Sequence, residues 1–302
     1  MRFLDEFRDP KRARALVARI EALLEAIRPA RPLKIMEFCG GHTHTIFRYG
    51  LHQRLPKAVE WIHGPGCPVC ILPREKIDTA VTLALDRGVI LTCFGDVVRV
   101  PGSRGSLLES RGRGADVRIV YSPMDALKLA HEHPERDVVF LAIGFETTMP
   151  ATALTVLQAA RDGVENFSIL CCHVTTPEIL RVLLSDPTLQ LDGIIAPGHV
   201  STVLGADAFR FIPEAFGLPV VISGFEPLDL LQSLAMVLEQ LQRSEAKVEN
   251  QYRRVVRQAG NLKAQEAISA VFEPRPEAGP RGLGLLPASG VKLREAFHAF
   301  DA

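Results

Sequence analysis

The sequence predicts an α/β fold made of two wound, mainly parallel-sheet domains with flanking helices. Short apolar runs recur along the chain, and each is followed by a turn containing glycine or proline and then by a helical pattern. Most runs are nearly continuous in apolar residues, which is typical of strands buried on both faces of a parallel sheet. The 302 residues suffice for about two domains, each with its own core.

The elements follow one another in a regular order. A first helix is predicted over residues 11–28, where apolar residues recur at helical spacing, and Arg31-Pro32 ends it. The predicted strands are Leu33–Phe38, Val59–Ile62, Val89–Cys93, Val117–Tyr121, Val138–Ile143, Phe167–Cys172, Gly193–Ala196 and Val220–Ser223. Further helices are predicted over Pro227–Arg243 and Ala264–Phe272, before a Pro- and Gly-rich stretch, Glu273–Gly284.

Three segments are expected. Residues 1–116 form the N-terminal helix and first α/β domain, and residues 117–225 form the second. Residues 226–302 form a helical segment that packs back on the first domain. The stretch Arg99–Asp116, rich in glycine and arginine, is interpreted as a linker or surface loop between the two α/β units.

Composition excludes several classes of protein. The 35 basic and 35 acidic side chains cancel, whereas proteins that bind nucleic acid or membrane surfaces carry a basic excess. Six cysteines are too few for a secreted disulfide scaffold. The sequence shows no targeting signal and no apolar run long enough to span a bilayer. We therefore expect a cytoplasmic protein.

Polar residues concentrate in the turns that follow the predicted strands. These turns hold most of the cysteines, four of the histidines and two isolated glutamates, Glu146 and Glu226. In open α/β sheets the ligand crevice lies outside the carboxyl ends of the strands, so the turns predict a site.

Cys39 is the first candidate. It ends a strand within Cys39-Gly-Gly-His-Thr-His, and the helix that follows would favour its thiolate form, with Thr43 or Thr45 as the cap. The alternative is a buried cysteine that packs as a small hydrophobe. His42 and His44 suit two separate roles better than two metal ligands.

Cys67 and Cys70 form a Cys-Pro-Val-Cys turn that suits either a redox-active disulfide or half of a zinc site. Because the sequence contains no second Cys-x-x-Cys pair, we prefer the interpretation as a redox-active disulfide. Cys93 and Cys171 lie in apolar runs and are assigned to the core. Glu146, Glu226 and His199 either cap helices or act at the site.

The strand-end motifs EFCGGHTHT, GPGCPVC, TCFGDVVRVPGS, IGFETTMPAT, APGHVSTVLG and SGFEPLDLLQ together resemble the HypD family of [NiFe]-hydrogenase maturation proteins. The resemblance implies an accessory scaffold with redox chemistry rather than a metabolic enzyme. It implies that Cys39 binds iron shared with a HypC-type chaperone while the Fe(CN)2CO group is assembled, with cyanide supplied by a HypE-type partner. It also implies that Cys67 and Cys70 are the redox pair, and His42 and His44 match the family motif around Cys39. We expect His42, His44, Glu146 and His199 to lie around the iron.

One departure from the family pattern is expected to matter. Family members carry a cysteine-rich C-terminal region whose four cysteines bind a [4Fe–4S] cluster, and this chain has no cysteine after Cys172. The sequence is therefore expected to lack that third domain, as a fragment or as a variant. The competing interpretation is a stand-alone thiol–disulfide oxidoreductase or zinc-binding protein that uses Cys67 and Cys70.

Overall fold

A computed structural model describes residues 5–278, 280 and 286–302. The strands are β1 (Leu33–Glu37), β2 (Val59–His63), β3 (Ile90–Cys93), β4 (Val117–Ile119), β5 (Val138–Gly144), β6 (Phe167–His173), β7 (Gly193–Pro197), β8 (Val220–Ser223), β9 (Val248–Asn250), β10 (Phe272–Ala278) and β11 (Leu286–Leu293). The helices are α1 (Pro10–Ile27), α2 (Gly40–Arg48), α3 (Leu51–Arg54), α4 (Arg74–Asp86), α5 (Leu107–Gly112), α6 (Pro123–Glu132), α7 (Met149–Asp162), α8 (Thr176–Leu184), α9 (Gly198–Leu204), α10 (Phe211–Phe216), α11 (Pro227–Gln242) and α12 (Leu262–Val271). Within the described ranges, no helix is both long and apolar enough to cross a bilayer.

The chain divides into two compact units. The first consists of Met1–Cys67 and Leu180–Leu262, and the second of Pro68–Ile179 and Lys263–Ala302. Each unit contains a parallel sheet flanked by helices, so the predicted α/β class is confirmed.

The first unit contains a five-stranded sheet in the order β2-β1-β7-β8-β9, in which every neighbouring pair is parallel. Its apolar core includes Leu23 and Leu24 of α1 together with Leu231 and Leu234 of α11. The carboxylate of Asp9 accepts the backbone N–H groups of Lys11 and Arg12, which satisfies donors that the first turn of α1 leaves free. The packing of α1 with α11 fixes the helical layer of this unit.

The second unit contains a four-stranded parallel sheet in the order β4-β3-β5-β6 and an antiparallel hairpin of β10 and β11. The residues of β5 alternate between two buried clusters, with Phe140 and Ala142 in one and Leu141 and Ile143 in the other. Because side chains alternate across a strand, a strand covered on both faces is apolar at every position. This explains the continuous apolar runs in the sequence.

The observed units differ from the contiguous segments 1–116, 117–225 and 226–302. The first unit takes in β7, β8 and β9 because β7 pairs with β1 in the same sheet, far from it in the chain. Only part of segment 226–302, including α11, belongs to the first unit, and residues from Lys263 onward belong to the second. Non-local pairing of this kind leaves no mark on local composition.

The interpretation of Arg99–Asp116 as a linker is wrong. The stretch Arg99–Asp116 lies wholly inside the second unit and contains α5, which Ser106 and Glu109 cap reciprocally. It is therefore not a linker between the units. The described part of the Pro- and Gly-rich stretch Glu273–Gly284 is largely strand β10, although Pro274 and Pro276 within it argue against a strand.

Candidate functional site

The site of the first unit lies at the point where the strand order of its sheet reverses. From β1 the sheet continues to β2 on one side, whereas from β7 it continues to β8 on the other. Ligands bind in the crevice outside the carboxyl ends of two such strands. Cys39 follows β1 and His199 follows β7, so both residues lie at this position.

Cys39 occupies the N-cap position of α2 with extended backbone, at φ −162° and ψ 125°. Its carbonyl oxygen accepts the N–H of His42 at 2.8 Å, and its side chain is partly exposed. The expectation that Thr43 or Thr45 caps the helix is wrong. The hydroxyl of Thr45 instead donates to the carbonyl of Phe225 at 2.6 Å, and that of Thr43 donates to the carboxylate of Glu37.

The pKa of the Cys39 thiol is raised, which is opposite to the direction expected at a helix N-terminus. Burial is the largest cause, and the backbone N–H groups of Gly41 and His42 act in the other direction, as the helix argument predicts. The carboxylate of Glu37 raises the pKa further. A metal that binds this thiol must therefore displace its proton.

Glu37 is not among the candidates predicted from the sequence, yet it is the fully buried anchor of this turn. Its carboxylate accepts the backbone N–H of Cys39 at 2.8 Å and the hydroxyl of Thr43. The Nδ1 atom of His63 lies 2.7 Å from the same carboxylate. An acidic residue at the end of an apolar run, directly before Phe38-Cys39, is the sequence signal that was available.

The turn after β2 packs directly on the backbone of Cys39. A Cβ atom at Gly66 would lie 2.6 Å from both Cα and N of Cys39, which no side chain tolerates. The N–H of Gly64 donates to the carbonyl of Glu37 at 2.8 Å and ties the same turn to β1. Cys67 follows Gly66 immediately, so its backbone is adjacent to the Cys39 turn. Cys67 and Cys70 are disulfide-bonded, whereas the other four cysteines are free.

An aromatic stack completes this end of the sheet. Phe225, which follows β8, stacks on His42 with ring centroids 4.7 Å apart and on His199 with centroids 3.8 Å apart. His42 is fully buried, which lowers its pKa to about 4. Its Nε2 lies 3.3 Å from the carbonyl oxygen of Ser223, and its Nδ1 is buried without a hydrogen-bond partner. His199 and His44 are exposed, His44 on α2.

The model of the HypD family, described as "Hydrogenase formation hypA family", matches residues 11–302. The chain belongs to the HypD family. It is 54% identical over 304 residues to hydrogenase maturation factor HypD of Escherichia coli, which covers 100% of this chain and 82% of that protein. It is 52% identical over 304 residues to hydrogenase maturation factor HypD of Rhodobacter capsulatus, covering 100% of this chain and 81% of that protein. These relatives support a role in hydrogenase maturation.

The two candidate glutamates of this HypD-family chain belong to different units. Glu146 is in the second unit, where its carboxylate accepts the N–H and the hydroxyl of Thr176, both at 2.8 Å. Burial raises its pKa to about 7. Glu226 is in the first unit at the N-cap position of α11, and the guanidinium of Arg8 donates to its two oxygens at 2.5 and 2.8 Å. An ion pair and a helix cap thus account for Glu226.

The strand-end turns therefore belong to two sheets rather than one. Cys39, His42 and His199 are grouped in the first unit. Glu146 lies in the turn after β5 in the second unit, and its assignment to the iron site stays a prediction. Cys93 and Cys171 are buried in the cores, as expected. Among the described residues, no group of three or more His, Cys, Asp or Glu side chains is arranged to hold a metal ion.

Proposed function

We propose that this HypD-family protein is a hydrogenase maturation scaffold that carries an iron ion on the thiolate of Cys39, together with a HypC-type chaperone. The iron is cargo, and it acquires the cyanide and carbon monoxide ligands of the Fe(CN)2CO group while it is held. A HypE-type partner supplies the cyanide. This chain contributes one thiolate ligand to the iron. The chaperone, cyanide and carbon monoxide supply the remaining ligands.

The observation that supports the proposal is the close contact of the Gly66 turn with Cys39. A soft thiolate suits iron that carries cyanide and carbon monoxide. The same turn continues into Cys67, which is disulfide-bonded. The dithiol form of Cys67 and Cys70 would hold two electrons and two protons that the disulfide lacks, so the pair is suited to exchange electrons beside the iron.

Anaerobic co-purification with the chaperone tests the role of Cys39. We expect iron in the purified complex and infrared bands from its cyanide and carbon monoxide ligands. Cys39→Ala should lose both the iron and the bands. The matched control is Cys93→Ala, which removes another free cysteine from the second unit and should keep both. Unchanged iron and bands in Cys39→Ala would exclude the proposed ligand.

The role of the disulfide pair is tested separately. Cys67→Ser and Cys70→Ser each prevent the disulfide, and we expect the complex with the chaperone to form while the infrared bands are lost. If both variants retain bands of wild-type intensity, the pair has no part in ligand attachment.

A stand-alone thiol–disulfide oxidoreductase is the second candidate, because Cys67 and Cys70 are disulfide-bonded and are separated by only two residues. The metal content and the reduction potential of the protein, measured without partners, separate the two functions. An exchange rate with small disulfides that matches the rate of dedicated oxidoreductases would favour the second candidate. Stoichiometric zinc bound to Cys67 and Cys70 would favour a zinc-binding protein instead.

A further inference from the structure

A groove in the first unit runs along α1, and the proposed function does not use it. Its volume is about 700 Å³, which is in the range of protein binding clefts. Leu51 and Arg54 of α3 and Leu231 of α11 line it. On α1 the lining residues recur every three or four positions, as Pro10, Ala13, Arg14, Val17, Ala18 and Glu21. This spacing is one face of a helix over three turns, a length of about 17 Å.

The apolar part of the groove is only half covered by the protein itself. Ala13, Val17 and Tyr49 pack against the apolar core of the first unit, and yet all three are only half-buried. The small side chains of Ala13 and Ala18 keep the α1 wall low. Because the distance between packed helices depends on the side chains at the contact, another helix can approach α1 closely here.

Arginine side chains make the groove electropositive. Arg14 and Arg54 are exposed, and neither forms an ion pair with another described residue. Residues 1–4, which precede the described part of the chain, contain no carboxylate that could pair with them. Arg8 also lines the groove, but its guanidinium is held in an ion pair. Glu21 is the acidic residue of the α1 stripe and lies about two turns from Arg14.

The start of α1 is an independent sign of an acidic partner. Its first turn contains Lys11 and Arg12 and no acidic residue. Cations at a helix N-terminus oppose the macrodipole, which favours acidic side chains there, and the carboxylate of Asp9 at the N-cap position offsets only part of this. The stability of α1 therefore does not explain why cations gather at this end of the groove, whereas an acidic partner would.

We propose that this groove binds an acidic amphipathic helix of a partner protein. The apolar side of that helix lies on Val17 and Tyr49, and its carboxylates pair with Arg14 and Arg54. Helices that bind in grooves use apolar residues spaced three and four apart, which is the spacing of the α1 stripe. Unpaired arginines select an acidic helix, because opposite charges attract across an interface and like charges repel. Cys39 does not line the groove, so the proposal stands whether or not that residue carries iron.

Fluorescence anisotropy with the full chain tests the surface. The probe is a labelled synthetic peptide of about 18 residues, long enough to form a helix, with leucine on one helical face and glutamate on the other. We expect saturable binding with a Kd of about 100 μM or tighter. Two control peptides, one with lysine in place of glutamate and one with serine in place of leucine, should each bind at least about tenfold more weakly.

Charge reversal in the groove tests the two arginines. Arg14→Glu and Arg54→Glu should each weaken binding of the acidic peptide at least about fivefold, and the double variant should bind the lysine peptide instead. Both side chains are exposed, so we expect these variants to fold. The control is Arg243→Glu, which makes the same change of charge at the far end of α11, about 24 Å from Pro227. It should bind the acidic peptide as the wild type does.

Three results would overturn the proposal. The first is the absence of saturable binding of the acidic peptide by the wild type up to about 1 mM. The second is equal weakening in Arg14→Glu, Arg54→Glu and Arg243→Glu, which would indicate general attraction between charges rather than a groove. The third is a wild-type dimer in analytical ultracentrifugation that Arg14→Glu converts to a monomer, because a second copy of this chain would then cover the groove.

Discussion

Replacing Gly66 by alanine tests whether the turn after β2 must lie on the backbone of Cys39. The new Cβ would lie 2.6 Å from two backbone atoms of Cys39 and 2.8 Å from the carbonyl carbon of Phe38, whereas ordinary contacts begin at 3.4 Å. The turn would have to move by about 0.8 Å, because backbone atoms cannot rotate away. Overpacking of this kind costs about 1–3 kcal/mol of unfolding free energy.

Gly40→Ala is the matched control, because the same substitution directly after Cys39 meets nothing within 4 Å. Gly40 is the first residue of α2, where alanine should stabilise by about 0.4–1 kcal/mol. The two variants are thus expected to change stability in opposite directions.

Urea unfolding followed by tryptophan fluorescence measures both variants. Trp61 is the only tryptophan of the chain and lies on β2, so its fluorescence reports on the first unit. We also expect Gly66→Ala to retain less iron in the complex with the chaperone than Gly40→Ala does. Equal stability of the two variants would show that the turn does not depend on close contact with Cys39, and the reasoning would fail.

Three further substitutions probe buried ionisable groups by urea unfolding. Glu37→Gln weakens the contact with His63 and should lower the unfolding free energy by about 1–3 kcal/mol. The control, Glu60→Gln at an exposed position, should change it by less than about 0.5 kcal/mol. Equal decreases in unfolding free energy for the two variants would argue against Glu37 as a buried anchor. Burial lowers the pKa of His173 to about 3 from 6.5. Its contribution to the unfolding free energy is therefore complete above pH 6.5 and falls by about 1.4 kcal/mol for each pH unit below that. His173→Gln should make the unfolding free energy depend less on pH below pH 6.5. An unchanged slope of unfolding free energy against pH would contradict this prediction. The pKa of Glu146 is raised to about 7 from 4.5, so its contribution to the unfolding free energy is complete below pH 4.5 and is lost as the pH rises to 7. Glu146→Gln should remove this decrease in stability between pH 4.5 and pH 7, and a steeper decrease in the variant would contradict the prediction.

Local pattern was sufficient for most of the secondary structure. Every predicted strand from Leu33–Phe38 to Val220–Ser223 is present within a residue or two of its predicted ends. The helices α1, α11 and α12 were predicted for the same reason. Apolar periodicity is a property of neighbouring residues, and burial on both faces of a parallel sheet makes that signal strong.

Other elements were missed because their signal is weak or contrary. The strand β9 has three residues, which is too short for a pattern to emerge. The strand β10 contains two prolines, which argue against a strand, and antiparallel pairing with β11 stabilises it nevertheless. In both cases the partner strand, rather than the residues themselves, determines the conformation.

The sequence by itself determined the α/β class and the family, because these depend on residue types in local order. It also predicts the role of Cys39. Only the tertiary structure showed that β7 lies beside β1, which brings His199 to the same end of the sheet as Cys39. It also decided that Glu37 is a buried anchor and that burial outweighs the helix N-terminus in setting the pKa of Cys39. Desolvation and strand order depend on which distant residues pack together, and no local pattern encodes that packing.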